Sequence, residues 1–248
     1  MKVNETMLRS QIKQLQLAFI LEHYQQLTAQ AARENWPHMQ FLSQLIEGES
    51  QRRADNALRR RIKNAKFPAL KSLDTFDWNW PKTINRAQIQ EIFRLAWIPQ
   101  HGNVILLGGV GLGKTHLAIA MGYAACQAGI SVLFTTAVEM LNTLVAAQAA
   151  HRLKMELKHY LKPQLLILDE IGYLPIDQQG ADLLFQVFSQ RYERGATVIT
   201  TNKAFKQWAT IFNNDSMLTS ALLDRLLHHA ETVVVCGKSF RMKDQIQE

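Results

Sequence analysis

The chain has 248 residues, of which 47% are hydrophobic and 20% charged. That balance excludes a disordered polyelectrolyte and fits one large domain with a smaller appendage. The formal net charge of +7 suits a polyanionic partner, nucleic acid or an anionic surface, although a merely basic soluble protein has the same balance. Two cysteines, Cys126 and Cys236, lie far apart without CxxC spacing and form neither a disulfide framework nor a zinc site. Their apolar neighbours predict two buried small hydrophobes. The N-terminus lacks the apolar centre of a signal peptide, and no apolar run approaches the roughly 18 residues that span a bilayer. The expected setting is cytoplasmic, with no membrane partner.

In chain order, residues 5–65 read as helical. Leu8, Ile12, Leu15, Phe19 and Tyr24 mark an apolar stripe at near-helical spacing. Trp36-Pro37 opens a further helix with Phe41, Leu42, Leu45 and Ile46 on its apolar face. From Gln51 to Lys71 run Arg52, Arg53, Arg59, Arg60, Arg61, Lys63, Lys66 and Lys71 against a single acid, Asp55, and the net charge of this stretch equals that of the whole chain. Charge segregated in this way predicts phosphate contact with DNA or RNA, with counterion release, against the alternative of a solvated helix face. Phe67-Pro68 ends the helix. Phe76, Trp78 and Trp80 could stack on bases, but docking on the next domain is the favoured reading. The expected organisation is a helical domain over 1–66, a linker docked on the core over 67–102, and a larger domain over 103–248.

From Asn103 the pattern alternates. Val104–Leu107 reads as a strand, Lys114–Gln127 as a helix closed by Gly129, and Ser131–Thr135 as a strand. One long helical region follows from Ala137 to Tyr160. Leu165–Leu168 reads as a strand, Gln178–Arg194 as a helix, and Ala196–Thr201 as a strand. Helical segments then lead to a last strand at Thr232–Val235. Strands apolar on both faces that alternate with helices predict an α/β fold, a parallel sheet covered by helices on both faces, preceded by a small all-α domain.

Gly108-Gly109-Val110-Gly111-Leu112-Gly113-Lys114-Thr115 matches G-x-x-x-x-G-K-[ST] in full, between a strand and a helix. Small residues let backbone N–H groups ring phosphates, and the helix adds its positive end. Lys114 would reach the β- and γ-phosphates of ATP, and Thr115 would give a hydroxyl to Mg²⁺. A dinucleotide fingerprint fits less well, because it demands glycine where Lys114 or Thr115 stands. Leu165–Glu170 delivers Asp169 and Glu170 at the carboxyl end of a strand. Asp169 would hold Mg²⁺ through water, and Glu170 would act as general base on the attacking water. That base favours hydrolysis over transfer to a metabolite. Asn202, after the strand 196–201, could orient the same water or simply form a turn. Arg225 could pair locally or reach the nucleotide of a neighbouring subunit as an arginine finger. Arg241 could sense phosphate or be a solvated basic residue. His116 reads as a packing or hydrogen-bonding residue beside the nucleotide. His228 and His229, adjacent on a helix, should point apart and make a poor metal pair.

The runs GGVGLGKTHLAIAMG at 108–122, LLILDEIGYLP at 165–175, TTN at 200–202, DRLLHHA at 224–230 and GKSFRMK at 237–243 together resemble the IstB-like ATPases. These are helper proteins encoded beside the transposase in bacterial insertion sequences, similar to DnaC helicase loaders and, more distantly, to DnaA initiators, all of the AAA+ class. The resemblance covers nearly the whole chain. It implies a homo-oligomeric ATPase, as a ring or spiral, that assembles on duplex DNA and recruits or stimulates a partner transposase. A helicase loader is the alternative with the same core. By the resemblance Lys114 and Thr115 belong to Walker A, Asp169 and Glu170 to Walker B, Asn202 is sensor 1, Arg225 the finger in trans, and Arg241 the second sensor. Gly109-Val110 departs from the Pro-Pro of many relatives but keeps the loop pattern.

Overall fold

In the computed structural model, which describes residues 4–240, Asn4 caps the first helix by accepting a hydrogen bond from the Met7 amide. Helix α1 spans Glu5–Gln14, α2 Ala18–Glu34 and α3 His38–Ala65. Asn35 ends α2 in the left-handed conformation, φ 53°, which a short amide side chain tolerates. Pro37 then precedes the first turn of α3, where its missing N–H costs nothing. Contacts divide the chain into two compact units, one ending at Arg60 and one beginning at Arg61.

The first unit has a thin interior. Among its described residues only Ile12, Ile20 and Glu49 are buried. Of the stripe predicted on α1 and α2, Leu8 and Leu15 are exposed, and on α3 so are Leu42 and Ile46. Leu17, at the start of α2, offers no side-chain cap. Glu49 on α3 supplies one, accepting from the amides of Phe19 at 2.8 Å and Ile20 at 3.4 Å. It also pairs with Arg53 at 3.0 Å. Burial raises the pKa of Glu49, but Arg53 and the two amides outweigh burial and hold it below its ordinary value.

The second unit starts within α3. Arg61 Nε donates to the carbonyl of Cys126 at 2.8 Å, and Ala65 is fully buried. After α4, Arg86–Ile92, come β1 Asn103–Gly108, α5 Lys114–Gln127, β2 Val132–Thr136, α6 Ala137–Ala149 and α7 Leu153–Leu161. They are followed by β3 Leu165–Ile171, α8 Gln178–Arg191, β4 Ala196–Thr201, α9 Trp208–Ile211, α10 Ser216–Leu227 and β5 Ala230–Val235. All pairings are parallel, in the order β2-β3-β4-β1-β5. Residues Leu165–Leu168, Val198, Ile199 and Val104–Leu106 are 0% exposed, as both-face cover by helices requires. Each such side chain contributes roughly 1.5–3 kcal/mol by burial.

The α/β fold is therefore the predicted one, with α5 at its expected bounds. Three local readings need correction. The region 137–160 is two helices, because His151 takes φ 55° and breaks the backbone after α6. Cys126 is buried, its thiol pushed up to about 11 by desolvation against a downward pull from Arg61, but Cys236 is exposed. It follows β5 at the sheet edge, where its amide and carbonyl bridge to Thr83. His228 and His229 lie beyond the last residue of α10, so the helical-direction argument does not apply. Their ring centroids are 4.1 Å apart.

Candidate nucleotide-binding site

The sheet order places β3, β4 and β1 side by side, so their carboxyl ends share one edge, where open parallel sheets bind ligands. Gly108 ends β1 against the carbonyl of Val235, which occupies the place of any Cβ. Gly111 and Gly113 take φ 70° and 84°, in the region L side chains disfavour. A Cβ at Gly113 would also meet the ring of Phe76 at 2.6 Å. Gly109 and the exposed Val110 form the outer bend, while Leu112 is buried and anchors it. Helix α5 begins at Lys114, directly after Gly113, so its positive end faces the loop.

Lys114 is buried, and its ammonium donates to the Gly109 carbonyl at 2.6 Å. Thr115 Oγ1 donates to both oxygens of Asp169, at 3.0 and 3.1 Å. Asp169 is 4% exposed. Thr200 ties the next strand in: its hydroxyl donates to Asp169 Oδ1 at 2.5 Å and accepts from the Glu170 amide at 2.9 Å. Sequence reading placed Thr200 at the strand end without a role. The parallel register, which sets Leu168 beside Ile199 and shifts before Ile171, is what makes it the link. Glu170 itself has φ 64°, a conformation that is uncommon for a non-glycine residue.

Glu170 and Thr200 line an open cleft of about 480 Å³ together with Lys114, Thr115 and His116, within the size range of ligand pockets. Lys71, Phe76, Trp80, Tyr173 and Phe240 complete the wall. The linker aromatics lie against this unit. Phe76 is buried and stands edge-on to Trp78 and His116, and Trp80 Nε1 donates to the Lys238 carbonyl at 2.9 Å. His116 Nε2 lies 2.9 Å from the Ser72 carbonyl, so it joins α5 to the linker.

Asn202 is not among the cleft-lining residues, but its buried Oδ1 has no hydrogen-bond partner among the described residues, a state that calls for a donor such as water. Arg225 does not line the cleft of its own chain either. It donates to the Ala221 carbonyl at 2.8 Å and lies over the Phe185 ring. Arg241 lies outside the described residues. Thr115 and Asp169 offer hard oxygen donors in contact with each other, the set that Mg²⁺ takes beside phosphate oxygens. Glycine cradle, lysine and oxygen pair thus fit a Mg²⁺-nucleotide.

Of the basic residues in the stretch 51–71, Arg52, Arg53 and Arg61 have intrachain hydrogen-bond or ion-pair partners. Arg52 forms a two-point pair with Glu22 at 2.6 and 3.0 Å, Arg53 pairs with Glu49, and Arg61 holds Cys126. Arg59, Arg60, Lys63 and Lys66 are exposed.

A phosphate loop between β1 and α5, facing Asp169 across a five-stranded parallel sheet, defines an ATP-binding protein of the AAA+ P-loop class. Solved structures share that fold. The DnaC helicase loader superposes with a TM-score of 0.54 over 66% of this chain and 96% of its own, at 20% identity. AMPPCP-bound DnaA from Aquifex aeolicus gives 0.57 over 73% and 55%, at 18% identity. Sequence likeness is closer. The putative ATP-binding protein of insertion sequence IS21 from Pseudomonas aeruginosa is 38% identical, covering 94% of this chain and 88% of the relative. That of IS232 from Bacillus thuringiensis subsp. berliner is 37% identical over 100% of this chain and 99% of the relative. The profile of the IstB-like ATP binding protein family matches residues 10–248, and the chain belongs to that family. Among the described residues no helix is long and apolar enough to cross a membrane.

Proposed function

We propose that this insertion-sequence ATP-binding protein is a transposition helper, one that oligomerises on duplex target DNA, hydrolyses ATP with Mg²⁺, and recruits or stimulates its partner transposase. The supporting observation is extent. The IS232 relative matches the helical unit as well as the ATPase unit, whereas the helicase-loader fold likeness stops at 66% of the chain. Capture of transposase rather than replicative helicase by the full chain is the expected discrimination.

In this reading the amides of Gly108–Gly113 ring the phosphates, with Val110 and Leu112 shaping the bend and His116 closing the first turn of α5. Lys114 exchanges the Gly109 carbonyl for the β- and γ-phosphate oxygens. Thr115 and Asp169 hold Mg²⁺, which neutralises charge on the phosphates when bound. Thr200 fixes the Asp169 carboxylate and the Glu170 amide together. Glu170 takes the proton of the attacking water, and Asn202 orients that water through its free amide oxygen. Arg225 of a neighbouring copy, with Arg241, stabilises the charge that develops on the γ-phosphate. Arg59, Arg60, Lys63 and Lys66 contact DNA phosphates, while Arg52, Arg53 and Arg61 contribute charge from fixed positions.

Glu170→Gln tests the centre of this scheme. Phosphate release should fall by about 10²–10⁴-fold, with ATP still bound and DNA held longer than by wild type. Faster DNA release by Glu170→Gln would remove Glu170 from the role of base. For Arg225→Ala, turnover on DNA should fall by about 10³-fold or more, with ATP affinity of dilute monomers unchanged. An equal loss in monomers would place Arg225 in cis.

A further inference from the structure

Three neighbouring strands begin side by side at the edge of the sheet opposite the phosphate loop. Asn103 of β1 aligns with Thr197 of β4 and with Ala230 of β5. Their lead-in segments therefore converge. Glu193 precedes β4 with φ 54°, and His101 precedes β1 with φ 57°. His228 and His229 precede β5. The Asn103 amide donates to the His229 carbonyl at 2.7 Å, which fixes that histidine's backbone to the sheet.

Glu193, His228 and His229 are exposed, and each brings a ligand atom to within 4.8 Å of the other two. His229 Nε2 stands 4.0 Å from Glu193 Oε1. Tetrahedral bonds of about 2.0–2.1 Å place ligand atoms roughly 3.3 Å apart, so closure needs only small rotations of exposed side chains. Tyr192 Oη lies 2.8 Å from His228 Nδ1. When Nδ1 donates to that oxygen, Nε2 carries the lone pair a metal needs, the usual outer partner of a metal-binding imidazole. His101 lines the same small depression as Glu193 and His229, together with Arg191 and Arg225.

We propose that Glu193, His228 and His229 form a binding site for a first-row transition-metal dication, with Zn²⁺ the best match. Two imidazoles and a carboxylate suit Zn²⁺, whereas Mg²⁺ and Ca²⁺ prefer oxygen alone. The site is separate from the cleft that holds Mg²⁺-nucleotide. Bound metal joins the end of α8 to the end of α10, the helix that carries Arg225.

The test is competition for Zn²⁺ between a chromophoric chelator and the untagged, metal-stripped full chain, with excess Mg²⁺ to occupy oxygen sites. One equivalent should bind. His228→Ala/His229→Ala should lose it, Glu193→Gln should weaken it, and Tyr192→Phe should weaken it by about tenfold. Cys236→Ser should leave it unchanged. Retained ATP binding and an unchanged metal-free melting curve show that each variant is folded. Absence of binding by wild type, binding by the double histidine variant as tight as wild type, or loss in Cys236→Ser would each overturn the proposal.

Discussion

The two units of this chain solve the problem of placing polar groups in opposite ways. In the nucleotide-binding unit, the three central strands carry fully buried side chains, and polar groups gather at their carboxyl ends and at the start of α5: Asp169, Glu170 and Thr200 with Lys114 and Thr115. In the helical unit the buried residues among those described are two isoleucines and a glutamate, and long charged side chains form cross-links: Arg52 to Glu22, and Arg53 to Glu49. A thick core holds the polar groups at its edge in fixed positions. A thin one leaves each ionic link a larger share of local stability.

The largest expected effect separates ligand from scaffold in the nucleotide-binding unit. Lys114→Ala should weaken ATP binding by about 100-fold or more, the equivalent of roughly 3 kcal/mol of charge-assisted hydrogen bonding, measured by titration with a fluorescent nucleotide. Undiminished affinity would mean that the loop amides alone hold the phosphates. A smaller effect is expected from the exposed basic residues. For Arg59→Ala/Arg60→Ala, the slope of log affinity for duplex DNA against log salt should drop by about 1–2. Arg52→Ala, whose guanidinium is already paired, should change the slope less. Equal changes would erase the distinction between free and paired cations.

The smallest effect concerns acid. Because the folded-state pKa of Glu49 is depressed from 4.5, its contribution to stability is present above about pH 4.5 and is lost as pH falls through the folded value. Glu49→Gln should lower stability at pH 7 by about 1 kcal/mol, as for a lost helix cap, read by chemical denaturation, and the gap from wild type should close as pH falls through the folded-state pKa. A constant gap across that range would assign the effect to packing alone.

What could be read from the residues follows the same division. The apolar runs of β1, β3 and β4 declare themselves because both faces are buried, and the phosphate loop because its spacing is chemical. The tie from Thr200 to Asp169 and Glu170 depends on strand register, which a single segment does not carry. The break at His151 depends on one left-handed residue, and α4 is only seven residues long. In the helical unit the count of basic residues missed their partners, because Glu22 and Glu49 lie outside the basic stretch. The aromatic wall at Phe76 and Trp80 left a signal in its density of rings, but not its position beside the loop.

Glu170 holds φ 64°, a conformation that costs a side-chain-bearing residue about 1–2 kcal/mol and glycine almost nothing. Folding alone would therefore favour Gly or Asn at this position. A copy released from the need to turn over ATP gains stability by drifting to either, while its phosphate loop and sheet stay intact. Under the proposed role of Glu170 as general base, the identity of this one residue is expected to separate insertion-sequence copies that turn over ATP from those that only bind it.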